Sequence, residues 1–188
     1  MRHNRLVAKK QKTGAHAGTP AVVALTAAGV PHTLHPYEHD PTSEVGYGLE
    51  AAAAIGVEPA QVFKTLVASV EGNLVVGIVP VDRMLDLKAL AQAVGAKKAT
   101  LADQAAAERA TGYVVGGISP LGQRQRLRTV LDASAGDHDV VYVSGGRRGL
   151  DVGLAPADLV RLTGAVTAPV ARPTRENPER EVEPRSPR

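Results

Sequence analysis

A lysine stands inside an apolar run, Val62-Phe63-Lys64-Thr65-Leu66-Val67-Ala68. The run predicts a buried strand. An ammonium there is costly unless it faces an open cavity or an anion. Side chains alternate along a strand, so Val62, Lys64 and Leu66 share one face, and Phe63, Thr65 and Val67 the other. One face therefore aims a fixed positive charge at something. The bland alternative is a snorkelling lysine at a strand end, its stem packed and its head in water.

Two glycine-rich loops could face such a charge: Gly116-Gly117-Ile118-Ser119-Pro120-Leu121-Gly122 and Ser144-Gly145-Gly146-Arg147-Arg148-Gly149. Glycine lets a ligand approach the backbone and leaves amide N–H groups free to bind oxygen. Either loop alone reads first as ordinary tight turning. Other chemistries fit less well. His35 and His39, with Glu38 and Asp40, suggest a metal, but residues four apart on a strand lie about 13 Å apart. Ser119 with His138 and an Asp suggests a hydrolase triad, but the Gly-x-Ser-x-Gly elbow is missing and Pro120 follows directly. No Gly-x-x-x-x-Gly-Lys-Ser/Thr loop is present for a nucleotide phosphate.

The elements that must position these residues belong to a chain of 188 residues, enough for one domain with tails. Hydrophobic residues make up 44% and aromatics only 3%, so Ala, Val and Leu must fill the core. Zero cysteines exclude disulfides, thiolate metal sites and a cysteine nucleophile of the protein's own. They fit a reducing, cytoplasmic compartment. No apolar run approaches a membrane span, and no h-region follows the basic Met1–Arg5 start. The pI of about 9.3 invites a nucleic-acid partner. Yet residues 1–18 alone carry +5, and 19–171 are mildly acidic at −3. Any basic patch on the domain falls to Arg124, Arg126, Arg128, Arg147 and Arg148. Lys97-Lys98 and Arg147-Arg148 read first as solvated faces.

Residues 1–18 and 172–188 lack apolar periodicity and read as disordered tails around a domain at 19–171. Thr19-Pro20 predicts an N-cap and first turn, with helix to Ala28 and a stop at Gly29. Residues 32–39 read as a strand, 40–43 as a turn, and 50–55 as a helix closed by Gly56. Residues 62–70 and 74–81 form a hairpin about Glu71-Gly72-Asn73. Helices are expected at 87–94, 101–110 and 156–162. Short strands are expected at 114–118, 129–131, 140–143, 150–154 and 166–170. Strands joined by short turns make this a mixed α/β order with antiparallel pairing.

Seven patterns stand in order: Thr19-Pro20-Ala21; His35-Pro36-Tyr37-Glu38-His39-Asp40-Pro41; Tyr47-Gly48-Leu49-Glu50; Val62-Phe63-Lys64-Thr65-Leu66; Leu85-Asp86-Leu87-Lys88; Thr111-Gly112-Tyr113 through Gly122; and Val143-Ser144-Gly145-Gly146-Arg147-Arg148-Gly149-Leu150. Together they resemble the YbaK/EbsC family, in its free-standing Cys-tRNA(Pro) deacylase branch. The match covers about 19–171.

The resemblance implies a single α/β YbaK-like domain with a mixed, largely antiparallel, curved sheet and flanking helices. It is related to the editing domain of bacterial prolyl-tRNA synthetases. The implied activity is trans-editing: removal of mischarged cysteine from tRNA(Pro), without cofactor or metal. The implied partner is the acceptor end of that tRNA; direct contact with prolyl-tRNA synthetase stays open. The family's catalytic Lys and loop Gly fall on Lys64 and Gly116. Its substrate-binding positions fall on Tyr37, Thr65, Gly117, Ser144 and Asp151. In this branch the substrate's own thiol is the implied nucleophile. Two alternatives stand: a deacylase for Ala-tRNA(Pro) or another small misacylated amino acid, and a tRNA-binding regulator without turnover on the same fold.

Overall fold

The computed structural model describes residues 18–40, 42 and 46–174. The expected disorder at 1–17 and 175–188, and Pro41 and Ser43 of the expected turn, lie outside them. Five helices and ten strands are present among the described residues. The helices are α1 (Pro20–Ala27), α2 (Tyr47–Ile55), α3 (Leu87–Ala93), α4 (Gln104–Thr111) and α5 (Pro156–Thr163). The strands are β1 (Thr33–Pro36), β2 (Val62–Val70), β3 (Asn73–Pro80), β4 (Arg83–Leu85), β5 (Ala99–Leu101), β6 (Arg128–Asp132), β7 (Val141–Arg147), β8 (Leu150–Leu154), β9 (Val166–Ala168) and β10 (Ala171–Pro173).

Local chemistry sets the helix ends. Thr19 accepts the Val22 N–H at 3.3 Å and donates to the Gly145 carbonyl at 2.6 Å, so one hydroxyl caps α1 and ties it to β7. Asp86 and Asp103 cap α3 and α4 through their carboxylates. Gly56, Gly112 and Gly164 close α2, α4 and α5 in the left-handed region.

The main sheet runs β1-β8-β7-β2-β3-β6-β9, with β5 also joined to β2. Four of its pairings are antiparallel and three parallel, a mixed sheet as expected. β2 organises it. One edge pairs with β3 from Phe63↔Pro80 to Val70↔Asn73. The other edge is shared between two strands. β7 takes it at Val62 and Phe63, and β5 takes it at Ala68–Val70. The sheet therefore forks in front of Lys64, Thr65 and Leu66.

The alternation expected along β2 holds. Phe63 and Val67 join the larger core, beneath α1 and α4. Leu66, Ala68 and Val70 join a second core around α3, and Val62 packs with Ala51 and Ala52 of α2. Phe63, the single phenylalanine, is 2% exposed and contributes roughly 1.5–3 kcal/mol by burial.

Three expectations need correction. Val114–Ile118 is a turn, not a strand: Val114 is 62% exposed, and Gly116 has φ +89°. The helix expected from Leu101 begins at Gln104, because Leu101 ends β5 and Asp103 is the cap. Arg172 and Pro173, placed in the tail, pair with Met84 and Arg83 in a two-stranded sheet, β10-β4.

Candidate active site

The fork in the sheet is the candidate site. A cavity of about 440 Å³ passes through it and is lined by Tyr37, Lys64, Thr65, Gly116, Ser144 and Asp151, among others. Lys64, Ser144 and Asp151 come from the α2 face of the sheet. Thr65 comes from the opposite face and Gly116 from the loop after α4. A closed sheet would keep these two sets apart.

β2 supplies two groups and an open edge. The Lys64 ammonium is half-buried and, among the described residues, reaches only the Val81 carbonyl, at 3.3 Å. Desolvation holds its pKa below the ordinary lysine value, and the Asp82 charge partly offsets this. The Thr65 hydroxyl is buried and has no hydrogen-bond partner among the described residues. Backbone groups also face the fork. The Val67 carbonyl accepts from Ala102 N–H at 3.0 Å on this edge. Two residues earlier, the Thr65 N–H and C=O point the same way, where no strand is paired.

β8 supplies a carboxylate. Asp151 stands opposite Ser144 in β7 and opposite His35 in β1. It is 6% exposed, and no hydrogen bond or ion pair reaches its carboxylate among the described residues. Burial pushes its pKa up to about 6. Tyr37, just past β1, is pushed up to about 12 by burial, then by the negative charges of Asp151 and Glu50. No ion pair joins Asp151 to Lys64, whose charged neighbour is Asp82.

The β7–β8 connection carries a bulge between Ser144 and Arg147. Ser144 Oγ accepts the Gly146 N–H at 3.2 Å within it. The bulge re-aims the hairpin tip over the loop at 114–118. There, Arg148 donates to the Val115 carbonyl from Nη2 at 2.7 Å and from Nε at 3.2 Å. Its guanidinium carbon also lies 5.0 Å from the Tyr47 ring centroid. A Cβ on Gly116 would meet Arg148 Nε at 2.8 Å and Tyr47 Cε2 at 2.9 Å. Gly116 thus sits beneath a two-residue cover.

Of the seven residues expected at the site, six line the cavity. Gly117 does not: its N–H is taken by the Val114 carbonyl at 2.9 Å, and its Cα lies against the Arg147 backbone. Tyr47, Gln104 and Leu101 also line it, and sequence reasoning passed over them. Tyr47 carried a usable signal, as one of four tyrosines in an aromatic-poor chain. The suspected triad does not assemble. Ser119 Oγ accepts the Leu121 N–H at 3.2 Å in its own turn, and among the described residues no histidine reaches it. His39 instead bonds Glu50 through Nδ1 at 2.7 Å, which fixes the start of α2.

A family model, the aminoacyl-tRNA editing domain, matches residues 44–162. The chain belongs to the aminoacyl-tRNA editing domain family. Among relatives of this family, it is 38% identical over 122 residues to EbsC of Enterococcus faecalis, named as a candidate Cys-tRNA(Pro)/Cys-tRNA(Cys) deacylase. That match covers 63% of this chain and 73% of EbsC. It is 33% identical over 119 residues to the multifunctional Ser/Thr-tRNA deacylase ProXp-y of Escherichia coli K12, covering 60% and 71% of the two chains. It also matches 21% of a proline--tRNA ligase of Desulforamulus reducens, at 30% identity over 62% of this chain. Among solved structures, a candidate trans-editing enzyme for prolyl tRNA synthetase superposes with a TM-score of 0.71 at 26% identity. It covers 81% of this chain and 95% of that one.

Proposed function

We propose that this chain, an aminoacyl-tRNA deacylase, removes cysteine from mischarged tRNA(Pro) in trans, with the cysteine thiol as nucleophile. The observation that carries the reading is the set of unsatisfied groups on one cavity. They are the unpaired Asp151 carboxylate, the orphan Thr65 hydroxyl, the open Thr65 backbone edge and the thinly held Lys64 ammonium. Each lacks what an aminoacyl ester on a 3′ terminus brings. The α-ammonium satisfies Asp151. The ribose hydroxyl satisfies Thr65 or Ser144. The terminal phosphate or adenosine meets Lys64. The carbonyl oxygen, as it becomes an oxyanion, meets the Gly116 N–H.

The chain has no thiol. Ser119 Oγ is engaged in its own turn, and no hydrogen bond joins Ser144 Oγ to the Asp151 carboxylate across from it. A thiol carried by the substrate supplies the attacker. The sulfur attacks the ester carbonyl carbon, the tetrahedral oxyanion collapses, and the C–O bond to the ribose breaks. The thiol proton ends on the ribose oxygen, and the amino acid leaves as a thiolactone that water then opens. Holding the thiol and ester together contributes roughly 7–11 kcal/mol.

Single-turnover deacylation of Cys-tRNA(Pro) and Ser-tRNA(Pro) under matched conditions tests the reading. The two side chains are nearly isosteric, so a pocket that reads size separates them weakly. A thiolate forms near neutral pH and an alkoxide does not. Cysteine should be cleared far faster. Equal rates would replace the thiol with an activated water. Preference for serine or threonine would align the chain with the ProXp-y relative.

A further inference from the structure

We infer that Arg148 is a positioning residue that aims the Gly116 N–H into the cavity. The inference rests on the proposed deacylation and adds a residue to it. The peptide between Val115 and Gly116 is trans, as are all the described peptide bonds. In a trans peptide the C=O and N–H point in opposite directions. Arg148 holds this C=O by two hydrogen bonds, at 2.7 and 3.2 Å. Arg148 lies outside the cavity wall, whereas Val115 and Gly116 form part of it. Clamping the carbonyl outward turns the Gly116 N–H inward.

The neighbouring peptides are held too, each by a different group. The Val115 N–H donates to Glu108 Oε1 at 3.0 Å, and the Gly117 N–H donates to the Val114 carbonyl at 2.9 Å. Among the described residues, the Gly116 N–H alone of these three has no acceptor. A turn with no strand ladder is thus fixed on both sides of the one amide left for a ligand. A charged donor on the carbonyl also polarises the peptide and makes its N–H a stronger donor. Tyr47 steadies the guanidinium from below, at 5.0 Å. The rival role for an exposed arginine at this rim is a phosphate contact to the tRNA. That role affects binding and its salt dependence, not the rate of the bound complex.

The test is single-turnover deacylation of Cys-tRNA(Pro) by the full chain, with enzyme concentration varied to separate the saturating rate from half-saturation. Arg148→Ala and Arg148→Lys are compared with the unsubstituted chain, and thermal unfolding monitors the fold. Arg148→Ala should lower the saturating rate roughly 10- to 100-fold, short of the 10²–10³ lost when an oxyanion donor is removed. Half-saturation and its salt slope should stay within about threefold. Arg148→Lys, with one donor for the same carbonyl, should fall between, and added methylguanidinium should restore much of the Arg148→Ala rate. An unchanged saturating rate with raised half-saturation would overturn the inference in favour of a phosphate contact. So would a loss that neither methylguanidinium nor lysine relieves. An unsubstituted chain inactive on every misacylated tRNA would remove the deacylation reading and this inference together. Activity in the unsubstituted chain beside an unimpaired Arg148→Ala would remove this inference alone.

Discussion

Asp151→Asn should make the protein more stable and less active, and the stability gain should depend on pH. The Asp151 carboxyl is 6% exposed, unpaired, and raised by burial from 3.8 to about 6. The native chain therefore holds this proton to higher pH than the unfolded chain does. Below about pH 4 both states are protonated and the penalty is absent. Between about pH 4 and pH 6 the unfolded chain ionises first, and stability falls. Above pH 6 the full penalty applies, about 3 kcal/mol from a shift of about two pKa units at 1.36 kcal/mol each. Asparagine carries the same shape without the charge. Its gain over the parent should thus be about 3 kcal/mol larger at pH 7.5 than at pH 4. Taking that difference cancels whatever the buried amide itself costs. Urea denaturation of both proteins at pH 4, 5, 6 and 7.5 measures it, and the melting shift should be on the order of 6–12 °C larger at pH 7.5 than at pH 4. A gain equal at all four pH values would refute an unpaired buried carboxylate. Unchanged deacylation by Asp151→Asn would refute its role for the substrate ammonium.

Lys64→Ala should cut deacylation at least 10²-fold while stability stays within about 1 kcal/mol, because the ammonium makes one long bond to Val81. Activity within a few-fold at an unchanged melting temperature would sink the assignment. Thr65→Val removes a buried hydroxyl that has no partner. It should leave stability equal or raise it by about 1 kcal/mol, and lower the rate about tenfold or more. A marked loss of stability, read by urea titration, would mean the hydroxyl is bonded in the folded chain. Chelator-treated protein should keep its full rate on Cys-tRNA(Pro), and restoration of a lost rate by zinc would overturn this.

Much of the framework is readable in the chain because local chemistry dictates it. The β2–β3 hairpin follows from two β-branched runs about Glu71-Gly72-Asn73, and Gly29, Gly56, Gly112 and Gly164 mark where helices stop. Lys64 is readable because a charge in an apolar strand has few explanations. The turn at 114–118 is not. Its Val-Val pair imitates a strand, but Glu108 of the preceding helix and the distant Arg148 satisfy its peptides in place of a ladder. The same long-range bonds hide the role of Arg148, which in sequence looks like half of a solvated pair. The fork is equally illegible. It depends on β5 and β7 meeting one edge of β2, and nothing local to 62–70 announces that. Arg172 and Pro173 read as tail because their pairing partners lie almost ninety residues earlier.

The fork also sets how a pocket of this kind can change over evolution. Its span is the stretch of β2 left between Phe63, the last residue paired to β7, and Ala68, the first paired to β5. Strand pairing moves in whole residues of about 3.3 Å, and a slip by one turns every side chain to the other face. Only every second residue of β2 turns its N–H and C=O to this edge, so the gap widens in steps of two residues, close to 7 Å. That is wider than the difference between any two small amino acids. Discrimination among them is therefore left to the side chains on the rim, such as Tyr47 and Gln104, where single substitutions act without disturbing a rung of the sheet. The frame is digital and the rim is continuous, so one architecture can serve several amino acids.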